Sequence, residues 1–291
     1  MLLLTGATGQ VGSALLGRLL ADGASVRCLV RDPRRLGATR VRVQIALGDL
    51  ADPPSFRNAM RGVDTVVHLA AAIRDQPRGS IEELGGIATW RMVQAAERAG
   101  VERFLFCSAL SASTHSRARF LRAKALAEQA VREAGMRSVV FSPSIVYAPG
   151  DRWLTLLERL ALLPAMPMSG GGRALYQPIW AEDVADCTMA ALRTPELAGS
   201  FELAGPQTLS HEQIVREVLH ALRRNRPLVH VPAPVVARGL RLLEAAAGTH
   251  APATWDEAEL MEVSMVSARG CVDAERLGVQ PQPMGAVLSS L

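Results

Sequence analysis

The chain has 291 residues, of which 49% are hydrophobic and 21% charged; this excludes a disordered chain and allows one large domain or two tightly joined lobes. Its net charge of +4 is spread along the sequence, which argues against nucleic acid as a partner. Thirty-two residues are basic, yet a single one of them, Lys124, is lysine.

The first predicted strand, Leu2–Thr5, runs into Gly6-Ala7-Thr8-Gly9-Gln10-Val11-Gly12 and then a helix over Ser13–Ala21. A glycine-rich loop between a strand and a helix reads as a dinucleotide phosphate cradle. The first glycine permits the tight turn, the second lets backbone approach the pyrophosphate, and the third lets helix and strand pack closely. Free N–H groups at the helix start complete an anion site. The second strand, Ser25–Val30, ends in Arg31-Asp32, with Arg34 and Arg35 close behind. Arg31 is placed to stack on adenine and grip a 2′-phosphate, so NADP(H) is favoured over NAD(H), although Asp32 lies within one step of a ribose. The third strand, Val43–Ala46, leads to Gly48-Asp49-Leu50, which suits the far side of the adenine.

A short helix over Ser55–Met60 and a fourth strand, Thr65–Leu69, follow, with Ala70 and Ala71 at its end. Next come a helix over Ile81–Ala99, a fifth strand, Arg103–Cys107, ending at Ser108, and a helix over Arg117–Ala134. On that helix Lys124 stands four before Glu128, and Glu128 four before Arg132, a spacing that favours paired charges. Arg117, Arg119, Arg122, Glu97 and Arg98 read as solvated. A sixth strand covers Ser138–Phe141. Nearly continuous apolar strands alternating with helices predict an α/β fold, a Rossmann-type doubly wound parallel sheet.

Past Ser142 the texture changes. Pro143, Pro149, Pro164, Pro167 and Gly170-Gly171-Gly172 break the alternation; the glycine run reads as a loop bounding a substrate cleft. Asp183 is expected to cap a helix through Leu192, and Ser210 with Gln213 to form a capping box for a helix to Leu222. Arg223-Arg224-Asn225-Arg226 would complement that helix's dipole, or dock an anionic surface. An apolar-striped helix over Val235–Ala247 is expected to pack on the core, with a partner-facing role as the alternative. The expected division is a dinucleotide-binding domain over 1–148, to which 174–200 returns, and a smaller, mostly helical lobe over 149–173 and 201–291.

Four cysteines, Cys28, Cys107, Cys187 and Cys271, lie far apart without a C-x-x-C pair, which predicts a reducing interior and no metal. The opening Met1-Leu2-Leu3-Leu4 leaves no room for a signal peptide before Gly6, and no stretch reaches the ~18–20 apolar residues of a membrane span. The expected location is the cytoplasm, with peripheral attachment to a membrane through a partner as the alternative.

These residues resemble the short-chain dehydrogenase/reductase superfamily, in its atypical or extended form. The G-A-T-G-Q-V-G loop, Val66–Ala71, Ser142–Asp151, Gln177–Ala185 and Phe201–Pro206 each look like a family element, so the likeness spans essentially the whole chain. The combination is most similar to the branch holding the NAD(P)H-binding accessory subunit of respiratory complex I and its bacterial relatives. The resemblance implies a dinucleotide held by Gly6 to Gly12, Arg31, Asp49, Leu50, Leu69, Ala70, Ala71, Lys124, Pro143 and Ile145.

Active members use a tyrosine as acid and, four residues on, a lysine that holds the nicotinamide ribose. This chain reads Phe120-Leu121-Arg122-Ala123-Lys124: the lysine is kept and the tyrosine is phenylalanine, which has no proton to give. The asparagine expected on the preceding helix falls at Gly85, while Ser108 stands where the family has its serine. Tyr147, His115 or Lys124 itself would have to replace the missing acid, and Ser111, Phe120, Tyr147 and Trp153, with Trp180 and Tyr176, would line an apolar substrate pocket. Two functions follow: an NADP(H)-holding structural or redox-sensing protein, favoured by the missing tyrosine; or an NADPH-dependent oxidoreductase or epimerase/dehydratase-like enzyme acting on a quinone, enone or other apolar carbonyl.

Overall fold

In the computed structural model, which describes residues 1–248 and 251–290, seven strands form one sheet. They are β1 (Leu2–Thr5), β2 (Val26–Val30), β3 (Gln44–Leu47), β4 (Thr65–His68), β5 (Arg103–Cys107), β6 (Arg137–Pro143) and β7 (Gly199–Leu203). Their order is β7-β6-β5-β4-β1-β2-β3, and every neighbouring pair is parallel. Six of these are the strands read from the apolar runs, within two residues. β7 was missed: Gly199-Ser200-Phe201-Glu202-Leu203 carries too little apolar pattern, and its pairing with Val139–Pro143 defines it. Residues 201–203, expected in the smaller lobe, therefore belong to the sheet.

Successive residues on a strand serve opposite faces. Leu4, Val67, Leu105 and Val139 pack with helices α1 (Gln10–Ala21) and α4 (Ala181–Arg193) on one side. Leu3, Val66, Phe104 and Val140 pack on the other side with α2 (Ala88–Arg98, entered through a π-helical turn over Glu83–Ile87) and α3 (Arg119–Glu133). Covering both faces is why the inner strands read as nearly continuous apolar runs, whereas Ile45 and Leu47 on the edge strand β3 stay exposed. α4 lies along α1, where Arg18 bonds both Glu182 and Asp186.

A third cluster, around Tyr147, Leu157, Met166, Tyr176, Ile214 and Met284, forms the core of a mostly helical region beside the sheet. Its helix α5 (His211–Ala221) opens on the expected Ser210–Gln213 capping box. Asp183 is not a cap: α4 starts at Ala181 after Trp180, and the Asp183 carboxylate instead accepts from the Gln282 amide. Burial raises that carboxyl to about 6. The helix α6 (Ala233–Ala247) departs most from expectation, since Ala237 alone is buried on it. Helix α7 (Trp255–Leu260) carries its own capping box, Thr254 with Glu257.

β7 turns through Gly205, whose amide donates to Gln177 O, under Pro178. A Cβ on Gly205 would lie 1.8 Å from the Pro178 carbonyl oxygen, whereas one on Gly17, mid-helix in α1, meets nothing within 4 Å. Gly205→Ala is therefore expected to cost about 2–4 kcal/mol and lower the melting temperature. Gly17→Ala should raise it through about 0.5–1 kcal/mol of helix propensity; thermal unfolding of the two variants checks both signs.

Candidate functional site

The strand order reverses between β1 and β4, and ligands of open α/β sheets bind in the crevice at such a switch. The glycine loop lies there. Gly6 has φ +73°, and a Cβ on it would approach the Ala70 amide nitrogen to 2.7 Å, so the loop rests directly on the end of β4. A Cβ on Gly12 would sit 2.0 Å from the Gly6 carbonyl oxygen. Gly9 precedes α1 without a side-chain cap, and the first turn carries no acid. Its N–H groups are left for an anion, which fits the phosphates of a dinucleotide. Ala7 and Val11 are buried behind the loop, while Thr8 and Gln10 stand at its rim.

At the end of β2, Arg31 is exposed and donates to Gln76 Oε1 at 2.6 Å. Asp32 faces the other way: its carboxylate accepts the Arg34 guanidinium and backbone amide, and Arg34 holds it below the usual carboxylate range. Asp49 accepts from the Ala51 amide and faces Arg78 at 3.3 Å, with Leu50 half-buried beside it.

Beneath the crevice runs a chain that sequence reasoning missed. Buried His68, on β4, bonds Thr5 Oγ1 at 2.7 Å and Thr89 Oγ1 at 3.0 Å, and Thr89 donates to the Gly85 carbonyl. The ring also stacks on Phe106 at 5.8 Å. Burial, with Lys124 nearby, pushes the imidazole down to about 3, so it is neutral. Nothing local marks it, because Thr5, His68 and Thr89 meet only once β1, β4 and α2 are assembled.

At the other end of the crevice, α3 sends Lys124 under the end of β5. The ammonium is buried, donates to the Cys107 carbonyl, and lies 4.8 Å from the Phe106 ring centroid and 5.6 Å from that of Phe120. Burial lowers its pKa, partly opposed by Cys107 and Glu128. Glu128 pairs with Arg132 as its spacing implies, but among the described residues Lys124 bonds the carbonyl and no carboxylate. Gly85 is pressed against α3, where an added Cβ would be 3.1 Å from Ala123 Cβ, close enough that one of the two would have to shift slightly.

The hydroxyl of Ser108 is buried without a partner among the described residues, as is that of Tyr147. An orphaned hydroxyl beside the lysine fits a site that pairs with a ligand. Tyr147, Phe120, Ile145 and Trp153 do converge in one apolar cluster, together with Tyr176 and Trp180. Tyr147, however, is wholly enclosed, and burial raises its pKa beyond the ordinary value, so its proton is held firmly. Tyr176 donates to Met261 O. Ser111 donates to the Ser264 carbonyl with φ +63°, and His115 sits on an exposed loop. Pro143 accepts from the Leu110 amide, closing the floor beside Ser144. The C-terminal segment crosses this end: Arg74 bonds Glu257 and Ala251 O, and Ser144 bonds Met265 O. Arg119, read as solvated, instead gathers Asp75, Glu82 and Asp256. Among the described residues no cluster of three or more His, Cys, Asp or Glu is arranged to hold a metal.

The family model described as NAD(P)H-binding matches residues 6–195. The ceramide reductase of Caulobacter vibrioides is 29% identical over 246 residues, covering 83% of this chain and 77% of that protein. Subunit 9 of the mouse mitochondrial NADH dehydrogenase [ubiquinone] 1 alpha subcomplex is 27% identical over 288 residues, 96% of this chain and 76% of that one. Among solved structures, a nucleoside-diphosphate-sugar epimerase of Staphylococcus aureus superposes with TM-score 0.80 at 18% identity, covering 99% of both chains. At that identity the likeness speaks for the fold.

His68 supplies a pH test. Its folded pKa, about 3, lies below the unfolded ~6.5, so the unfolded chain binds the extra proton; this contribution is complete above ~6.5 and is lost as pH falls toward 3. Asp183, raised to about 6, acts in the opposite sense above its unfolded value, so the comparison must isolate His68. The stability advantage of wild type over His68→Gln is expected to grow between pH 4 and 6.5, by at most about 1.4 kcal/mol per pH unit, in urea titrations at stepped pH.

Proposed function

The chain belongs to the NAD(P)H-binding family, and on that premise we propose that it holds NADP(H), in preference to NAD(H), in a structural or redox-sensing role without tyrosine-based turnover. The observation that carries this reading is the pair Phe120 and Lys124: Lys124, which would hold the ribose, is buried beside Phe120, a hydrocarbon ring with no proton to give where the resemblance expects a tyrosine. Gly6 to Gly12 would hold the pyrophosphate, Asp49 and Leu50 would border the adenine, and Leu69 to Ala71 would run beneath the cofactor. Lys124 would reach the nicotinamide ribose, with Pro143 and Ile145 near the ring. The preference for NADP(H) rests on Arg31, whose partner is a neutral amide, and on Asp32, whose carboxylate is taken by Arg34. Similarity to subunit 9 of an NADH dehydrogenase supports a place beside a protein partner in a membrane-associated complex.

A second reading is favoured by the lowered pKa of Lys124 and the orphaned Ser108 hydroxyl. It is an NADPH-dependent reductase, or an epimerase/dehydratase-like enzyme, for an apolar carbonyl compound; similarity to a ceramide reductase supports a lipid-like one. The bound cofactor would supply hydride chemistry. The Lys124 ammonium would give its proton to the substrate oxygen, and Ser108 would hold that oxygen. Tyr147 is the weaker acid because burial keeps its proton.

NADPH is expected to raise the melting temperature more than NADH does, since ligand binding to the native state stabilises it. Arg31→Ala should weaken NADPH ~10-fold or more while leaving NADH nearly unchanged; equal loss for both cofactors would remove the case for NADP(H). In NADPH-oxidation assays with quinones, enones and 3-keto lipids, the first reading expects no turnover by wild type and a gain with Phe120→Tyr. Turnover by wild type that disappears in Lys124→Ala would establish the second instead.

A further inference from the structure

Helix α6 reads at 3.6-residue spacing in two opposed directions. Ala237, Arg241 and Glu244 form one stripe, and this one faces α7: Ala237 is buried, the Arg241 guanidinium lies 5.8 Å from the Trp255 ring centroid, and Glu244 accepts from the Trp255 amide. Val235, Gly239, Leu242 and Ala246 form the other stripe, about 180° away at 100° per residue. All four are exposed, Val235 by 56% and Leu242 by 72%, with Leu243 and Arg238 exposed along its borders. An apolar stripe turned away from the core needs an apolar medium or partner to cover it.

Charge narrows what that cover is. Six arginines face three glutamates between His211 and Gly248, in a chain of net charge +4. The glutamates are turned elsewhere: Glu212 to Arg216 and His230, Glu217 toward Gly285, Glu244 to α7. Arg223, Arg224, Arg226 and Arg238 have no carboxylate partner among the described residues; Arg224 and Arg226 both donate to the Ala161 carbonyl. That carbonyl immediately precedes Leu162 and Leu163, which are themselves exposed. Apolar side chains bordered by unneutralised arginines thus recur on this region of the chain. A second copy laid on the same stripe would bring like charges together, whereas an anionic lipid surface neutralises them.

We propose that α6 lies in the headgroup–acyl boundary of an anionic lipid bilayer, with Val235 and Leu242 inserted and Arg238 among the headgroups. The contact is direct and reversible, needs no protein partner, and crosses nothing, since no described helix is long and apolar enough to span a membrane. It also sits close to the crevice, because α7, on which α6 packs, holds Arg74 through Glu257 and faces Arg119 through Asp256.

Sedimentation of the full chain with vesicles tests this. Wild type should bind phosphatidylcholine vesicles containing phosphatidylglycerol, bind pure phosphatidylcholine far less, and release as salt rises. Leu242→Asp and Arg238→Glu should each lower the partition coefficient ~10-fold. Both sites are exposed, so melting temperature and the shift induced by NADPH should match wild type; Val235→Asp is the second insertion variant if one of these misfolds. Failure of wild type to bind anionic vesicles would overturn the proposal, as would binding by Leu242→Asp equal to wild type. A lipid-free oligomer that Leu242→Asp dissociates would overturn it as well, by assigning the stripe to a second copy. None of these outcomes depends on whether NADPH is bound or turned over.

Discussion

There is no room for a methyl group between Gly12 and the Gly6 carbonyl, 2.0 Å from where it would stand, and the rest of the crevice is arranged around that contact. It draws the start of α1 onto the end of β1. The same loop presses on Ala70, so β4 must end beside it. α1 then carries Arg18, which fastens α4 through Glu182 and Asp186 and so ties a late part of the chain to the first helix. An uncapped helix start at the strand-order reversal follows from this packing, and that start is what an anionic cofactor requires.

The opposite end of the crevice is held by aromatic rings and a single ammonium. Lys124 sits between Phe106 and Phe120 and closes on the last carbonyl of β5. A compact ammonium suits this buried carbonyl; the wide guanidinium fork would leave several donors without acceptors. In a chain whose other basic residues are all arginine, this is where the lysine stands. On the proposed reading this arrangement would keep the residues that hold a cofactor, with Phe120 and Gly85 standing where the resemblance expects a tyrosine and an asparagine.

Much of this was legible in advance. Six strands announced themselves because they are short, mostly apolar runs, most of them buried on both faces; the edge strand β3 was legible from its apolar residues although Ile45 and Leu47 are exposed. The glycine loop was legible because sterics at Gly6 and Gly12 tolerate nothing larger, and Lys124 because a four-residue spacing puts it on one helix face with Phe120. β7 was not legible: Gly199–Leu203 is a strand because β6 offers it an edge. Arg119 looked solvated because its partners, Asp75, Glu82 and Asp256, come from three separate parts of the chain. Tyr147 looked like an available acid, since nothing in Ile145-Val146-Tyr147 tells that its hydroxyl will be enclosed.

By itself the sequence determined the layered α/β architecture, the glycine loop, and a phenylalanine four residues before the chain's one lysine, all of which depend on residue type and short-range spacing. Tertiary structure decided the rest. It set which carboxylate each arginine found and brought His68 to two threonines. It bound the C-terminal segment to Arg74 and Ser144, and it turned α6 so that Val235 and Leu242 face outward. The periodicity of α6 specifies an apolar stripe and its angle to the rest of the helix. Which way that stripe points depends on what α7 offers the opposite side, and the ring and amide of Trp255 hold Arg241 and Glu244 inward.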